Sequence, residues 1–247
     1  MILLLLLAQA ATPSGPPAPI ADRYEHCLDR AKSDPTAAEA EAGQWQLAGG
    51  SFFASQCLGM AYANEARWSA AAASFESAAR AAEKAGDTRG ANYWAQAGNA
   101  WLAAGDASKA RSALDAAISA GTLKGQPLGE AHLDRARAMV AGDDPEGARE
   151  DLDRALTEVP ADPLAWLLSA TLARREQQVV RAKTDIAEAL QRGGDDPSVQ
   201  LEAGNIAAMA GDEAGARAAW RQAVTLRPDS AAGKAAAAAL AQFEVAS

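Results

Sequence analysis

The sequence predicts an all-α protein built from stacked helical hairpins. Alanine dominates the composition, and runs of alternating Val, Ile and Thr are absent, which favours helix and argues against a β-sheet. Small residues also recur every 34 positions in the second half of the chain, in the series Ala148, Ala182, Ala216 and the series Ala155, Ala189, Ala223. A period of this length is typical of an array of helical hairpins rather than of one globular core.

The first residues are typical of a secretory signal. Ile2 to Leu7 is an unbroken apolar run, and Ala8-Gln9-Ala10 has the small-x-small form of a cleavage site. We therefore expect residues 1–10 to be a signal peptide that is cleaved after Ala10. The run is too short to span a bilayer, which takes about 20 residues. No Lys or Arg precedes it, so either the signal is weak or the true start lies upstream of Met1.

The next two segments predict a linker and a cap. Residues 11–19 contain four prolines and a glycine, which predicts an exposed, extended linker. From Ile20 the apolar residues lie three or four apart, which predicts a helix that ends at Asp34-Pro35. A second helix is expected over 36–48. We expect residues 20–50 to form an N-terminal helical cap, with Trp45 packed inside it.

Residues 51–230 divide into five units that begin at 52, 91, 129, 163 and 197. Each unit has a small residue at its position 8, alanine at positions 20 and 27, and a large residue at position 24. At position 8 these are Gly59, Gly98, Ala136, Ala170 and Gly204, and at position 24 they are Phe75, Leu114, Leu152, Ile186 and Trp220. Proline follows at position 32 of the third and fifth units, as Pro160 and Pro228.

This pattern resembles the tetratricopeptide repeat (TPR) family. The resemblance implies a right-handed superhelical solenoid of helix-turn-helix units, in which the small residues let paired helices approach closely. A single hairpin cannot bury its apolar face, so the ends of such an array need caps. Residues 231–247 are predicted to form the C-terminal capping helix. The tryptophans of the units fall on packing positions and are expected in the core: Trp68, Trp94, Trp101, Trp166 and Trp220.

Composition and motifs argue against several function classes. The formal net charge is −9 and no Lys/Arg-rich block is present, so neither nucleic acid nor an anionic membrane surface is an expected partner. His26 and His132 are far apart and match no nucleophile or metal-ligand spacing, so we expect no catalytic residues, no metal and no cofactor. His132 occupies a packing position, which favours a hydrogen-bonded core histidine.

Cys27 and Cys57 are the two cysteines of the chain. In an exported protein an even count predicts a disulfide, here between positions 30 residues apart. In a cytosolic helical protein the same residues would be two buried thiols. The disulfide would tie the N-terminal cap to the first unit.

The TPR resemblance also implies a groove lined by the first helix of each unit, through positions 2, 5, 9 and 12. Amide and guanidinium groups there could hydrogen-bond an extended peptide. Carried onto this sequence, these positions give Gln56, Met60, Asn92, Asn99, Glu130, Arg137, Thr171, Arg174 and Asn205.

The expected function is a non-enzymatic protein–protein interaction module or scaffold of the bacterial cell envelope. It would bind an extended peptide or a helix of a partner protein in the groove. The expected location is periplasmic or secreted. The alternatives are a cytoplasmic TPR scaffold, whose N-terminus is merely apolar, and an assembly protein that associates with itself.

Overall fold

The computed structural model describes residues 20–245, and within them every regular element is a helix. The predicted signal peptide and linker lie outside the described residues. Thirteen helices follow one another: α1 (Ile20–Ser33), α2 (Pro35–Leu47), α3 (Ser51–Asn64), α4 (Trp68–Lys84), α5 (Gly90–Ala103), α6 (Ala107–Ser119), α7 (Gln126–Ala141), α8 (Pro145–Glu158), α9 (Pro163–Arg175), α10 (Val179–Gly193), α11 (Pro197–Met209), α12 (Glu213–Leu226) and α13 (Ala231–Val245). The predicted all-α solenoid of helical repeats is confirmed.

The helix starts are determined by residues within or next to the first turn. Aspartate side chains accept a hydrogen bond from a backbone N–H in the first turn of six helices, at Asp34, Asp106, Asp144, Asp162, Asp196 and Asp212. Four of these aspartates precede a proline at the first helical position, where the missing N–H has no cost: Pro35, Pro145, Pro163 and Pro197.

The turn inside each hairpin has one residue in the left-handed region, at position 15 of every unit. Gly105 and Gly211 occupy this position with φ near 79° and 78°, a conformation that costs glycine little. The other three units make the same turn without glycine, using Ala66, Asp143 and Gln177 at φ between 56° and 59°.

Close packing within each hairpin depends on the small residue at position 8. A Cβ atom built on Gly98 would lie 2.4 Å from Cγ of Leu114, and one built on Gly204 would lie 2.3 Å from Cδ1 of Trp220. Both distances are too short for real atoms. The first helix of the hairpin therefore approaches the second at a point where no side chain fits, and the large residue at position 24 fills the space.

The hairpins stack in chain order, with each second helix packed on the first helix of the next hairpin. The apolar core is consequently a row of adjoining clusters, rich in alanine, rather than one central cluster. Helices α1 and α2 also form a hairpin, and α1 packs on both α2 and α3. Trp45 is buried there beside the bonded cysteines Cys27 and Cys57, whose Cα atoms are 6.1 Å apart.

The tryptophan prediction is right for part of the set. Trp101 and Trp220 are buried, and Trp94 and Trp166 are half-buried. The prediction for Trp68 is wrong, because 37% of this residue is exposed. Trp68 is the first residue of α4, at the turn between the two helices of the hairpin.

Candidate protein-binding surface

The predicted groove residues lie on α3, α5, α7, α9 and α11, the first helices of the five units. We call the surface formed by the predicted groove positions of α5, α7, α9 and α11 the first-helix surface. Its predicted residues are Asn92, Asn99, Glu130, Arg137, Thr171, Arg174 and Asn205. The structure divides this surface into three neighbouring regions with different chemistry. Two of them are hollows, and the third is a closed network of hydrogen bonds.

The first region is a polar hollow of about 280 Å³ between α5 and α7. It brings together the predicted residues Asn92, Asn99 and Glu130. Asn99 donates a hydrogen bond from Nδ2 to Oδ2 of Asp134 at 2.8 Å, and Glu130 accepts one from Gln126 at 2.8 Å. Amide groups and two carboxylates thus face the same space, which suits a ligand with hydrogen-bond donors or positive charge.

The second region is an apolar pocket of about 150 Å³ between α7, α8 and α9. Its apolar lining comes from Val140, Leu152, Leu168 and Leu172, and two guanidinium groups border it, those of Arg137 and Arg175. Arg137 donates to Oδ1 of Asp134 at 2.8 Å. The Asp134 carboxylate therefore connects Asn99 of the polar hollow to Arg137 of the apolar pocket.

The third region is a hydrogen-bonded network between α9 and α11. Arg174 donates from Nε to Oε1 of the buried Glu202 at 2.6 Å, and Asn205 donates to Oε2 of the same carboxylate at 3.2 Å. The Oδ1 atom of Asn205 accepts a hydrogen bond from Trp220 at 3.1 Å. Two of the predicted groove residues are therefore already engaged inside the protein. A third, Thr171, donates to the backbone carbonyl of Leu167.

Comparison with known proteins matches one part of the chain to a described family. A sequence profile described as tetratricopeptide repeat matches residues 129–172, which include most of α7, all of α8 and most of α9. The chain has the TPR fold. The resemblance predicted from the sequence is thereby confirmed, and the matched segment contains every residue that lines the apolar pocket except Arg175.

Solved structures support the same fold. The Pseudomonas aeruginosa PilF structure is similar over 92% of this chain and 99% of its own, with a TM-score of 0.70 and 17% identity. PilW, described as a widely conserved type IV pilus biogenesis factor, is similar over 87% of this chain and 96% of its own, with a TM-score of 0.71 and 16% identity. YrrB, described as a TPR protein with an unusual peptide-binding site, matches 75% of this chain and 90% of its own, with a TM-score of 0.57 and 18% identity.

No curated protein matches the sequence. TPR proteins are in general non-enzymatic scaffolds that bind other proteins or peptides, so the fold indicates a protein-interaction module. Among the described helices none combines the length and apolar character that a membrane crossing requires.

Two predicted groove residues do not reach the first-helix surface. Gln56 is 4% exposed, and its Oε1 accepts a hydrogen bond from the Tyr24 hydroxyl at 2.9 Å. Its assignment to an open groove is wrong, because α1 packs on α3 and covers this position. Met60 is half-buried against Ala31, Ala38 and Ala61, which belong to the same N-terminal region. At α3 the N-terminal helices therefore cover part of the surface that was predicted to be open.

Residues at position 6 of the units also belong to this surface, although the sequence did not predict them. Asp134 and Glu202 both stand at this position and accept hydrogen bonds from predicted groove residues, and Gln96 and Leu168 stand at the same position in the second and fourth units. Gln96 lines the polar hollow and Leu168 the apolar pocket. These residues could have been found from the sequence, because all four occupy the same repeat position.

His132 lies in the buried, hydrogen-bonded environment expected for a core histidine. Its Nδ1 atom is 2.9 Å from Oδ1 of Asp151, which also receives two hydrogen bonds from Arg135 at 2.6 and 2.7 Å. Burial alone would raise the pKa of Asp151, but the hydrogen bonds from Arg135 and His132 outweigh it and hold the pKa below its ordinary value. His132 and Asp151 are both buried, and this cluster joins α7 to α8. No group of three or more potential metal ligands occurs within residues 20–245.

Proposed function

We propose that the protein is a non-enzymatic interaction module of the bacterial cell envelope that binds an extended segment of a partner protein on the first-helix surface. The observation that carries the proposal is the position of α7, which borders a polar hollow on one side and an apolar pocket on the other. Hydrogen-bonding groups beside an apolar pocket are what recognition of an extended peptide requires.

The envelope location rests on separate observations. The apolar run Ile2–Leu7 precedes a small-x-small site at Ala8-Gln9-Ala10, and Cys27 and Cys57 are joined by a disulfide. Disulfides persist in oxidising compartments such as the periplasm. We expect the protein recovered from cells to begin at Ala11 and to contain no free thiol. Intact Met1 together with reduced cysteines would instead place it in the cytoplasm.

The test of the function is photo-crosslinking in cells followed by mass spectrometry. Wild type is compared with the variant Asn92→Ala/Asn99→Ala/Arg137→Ala, whose three side chains are exposed. Asn205 is left unchanged, because its loss would remove the hydrogen bond to Trp220. We expect a defined set of envelope proteins to crosslink to wild type and to be lost from the variant.

The matched control places the same chemical changes on second helices. Arg154→Ala/Gln191→Ala/Gln222→Ala also removes one positive charge and two amides from exposed positions, on α8, α10 and α12. Equal loss of crosslinking in both variants would show that the first-helix surface is not the binding site. A doubled mass by light scattering, with this chain as the only crosslinked partner, would favour self-association instead.

A further inference from the structure

We infer that the apolar pocket between α7, α8 and α9 binds a large apolar side chain that lies next to a carboxylate in the partner segment. The inference rests on the proposed function and specifies the chemistry of its ligand. It follows from the size of the pocket, from the unpaired charge at its mouth and from the opposite charge of the neighbouring hollow.

The pocket has the size and lining for one large side chain. Its volume of about 150 Å³ is well below the ~300–1,000 Å³ typical of sites for small molecules and cofactors. Leu152 and Leu172 are buried at its base, and the half-buried Val140 and Leu168 form its walls. A leucine or phenylalanine side chain inserted here would cover apolar surface that is now exposed to water, which favours binding.

The mouth of the pocket carries positive charge without a counter-charge of its own. Arg175 is exposed, and it makes no hydrogen bond or ion pair with any described residue. Arg175 also lines an adjoining hollow together with Asp143 and Glu176, yet neither carboxylate lies within 4.0 Å of its guanidinium group. Because a guanidinium group binds a carboxylate through two parallel hydrogen bonds, Arg175 is suited to an acidic side chain or a terminal carboxylate of the ligand.

The charge of the polar hollow favours one orientation of the ligand across the two regions. Between α5 and α7 the carboxylates of Glu130 and Asp134 face the solvent-filled space, with Asn99 beside them. Asp134 accepts hydrogen bonds from both Asn99 and Arg137. Negative charge therefore lies on the side of α7 that faces α5, and positive charge on the side that faces α9. A segment across both regions is favoured when its basic residues face α5 and its apolar and acidic residues face α9.

The experiment is a selection from a random peptide library displayed on phage, with the purified chain as bait. Wild type is expected to enrich segments in which a large apolar residue lies within two positions of Asp or Glu. The variant Arg175→Glu should retain the apolar preference but replace the acidic preference with Lys or Arg. The variant Thr171→Trp should lose the apolar preference, because Thr171 lines the pocket and a tryptophan there would fill it.

The control variant is Arg154→Glu, which makes the same charge change at an exposed position of α8 outside the pocket. Its selection profile should match that of wild type. An enriched synthetic peptide should bind Arg175→Glu about tenfold more weakly than wild type, and exchanging its acidic residue for lysine should restore binding to this variant.

Two results would overturn the inference, and they are distinguishable. If the profile changes with Asn92→Ala/Asn99→Ala/Arg137→Ala but not with Arg175→Glu or Thr171→Trp, the pocket is not the subsite, while peptide binding on the first-helix surface stands. If wild type enriches no peptide, both the inference and the proposed binding of extended segments are wrong.

Discussion

Asp151 and Asp185 occupy the same position in consecutive repeats, 34 residues apart, and both carboxylates are buried. Asp151 is paired with Arg135, and Asp185 accepts hydrogen bonds from Ser169 and from Arg181. A buried charge of this kind is tolerated only when its partners are in place, because removal of water is costly. The third and fourth units therefore contain a polar interface where the other units have alanine or serine.

The first prediction concerns the stability of this interface. Asp151→Asn removes the charge that faces Arg135 and His132, and we expect the free energy of unfolding to fall by about 3 kcal/mol. Urea denaturation followed by circular dichroism measures the change. The control is Glu150→Gln, the same substitution at the adjacent exposed residue, which should change stability by less than about 0.5 kcal/mol. Equal effects of the two substitutions would contradict the proposed role of the buried pair.

The second prediction is that the stability difference between wild type and Asp151→Asn depends on pH. The folded state holds the pKa of Asp151 below its ordinary value of 3.8, so the unfolded chain takes up the proton first as the pH falls. The stabilisation from Asp151 should be complete above that ordinary value and should decline as the pH drops through the lower, folded-state pKa. The stability difference between wild type and Asp151→Asn should therefore be constant at neutral pH and shrink in acid. A difference that grows in acid would contradict this assignment.

The third prediction tests close packing at position 8. A Cβ on Gly204 would meet the buried, hydrogen-bonded ring of Trp220, which has no room to move, so Gly204→Ala should cost about 1–3 kcal/mol. Gly43 provides the matched control, because it lies inside α2 with no atom within 4 Å of a built Cβ. Gly43→Ala should instead stabilise the protein by about 0.5–1 kcal/mol. Thermal unfolding of both variants measures the two changes in stability, which should have opposite signs.

The fourth prediction concerns the bond between Cys27 and Cys57, which joins α1 to α3 across 30 residues. In the loop-entropy model its loss destabilises the fold by about 3–4 kcal/mol. Hydrogen exchange should show faster exchange in α1 and α2 after reduction than in α9 to α12. A variant with both cysteines replaced by serine should match the reduced wild type and should not respond to reductant. Unchanged exchange after reduction would mean that packing alone holds α1 in place.

Much of the fold could be predicted because its determinants are local. The aspartate at a helix start, the proline after it and the small residue at position 8 each act on neighbours within one hairpin. Their spacing in the sequence therefore reproduces the order of the helices. Even the turn at Gln177, which has no glycine, forms with that residue in the left-handed region.

The site could be predicted only in part because its residues depend on contacts between hairpins. The sequence offered no sign that Tyr24 would cover Gln56, since the two are 32 positions apart and belong to different hairpins. Sequence periodicity shows which face of a helix points inward, but not which residue of the next repeat will lie against it.

The charged contacts have a consequence for how the array can change in evolution. Arg135 reaches back to Asp115 of the preceding hairpin, and Arg181 reaches back to Asp153. Alanine faces alone would allow the hairpins to stack in several orders. A duplicated or transposed third or fourth hairpin would lose the ion pair that joins it to the hairpin before it. Gain and loss of repeats should therefore be easier at the two ends of the chain than in its middle.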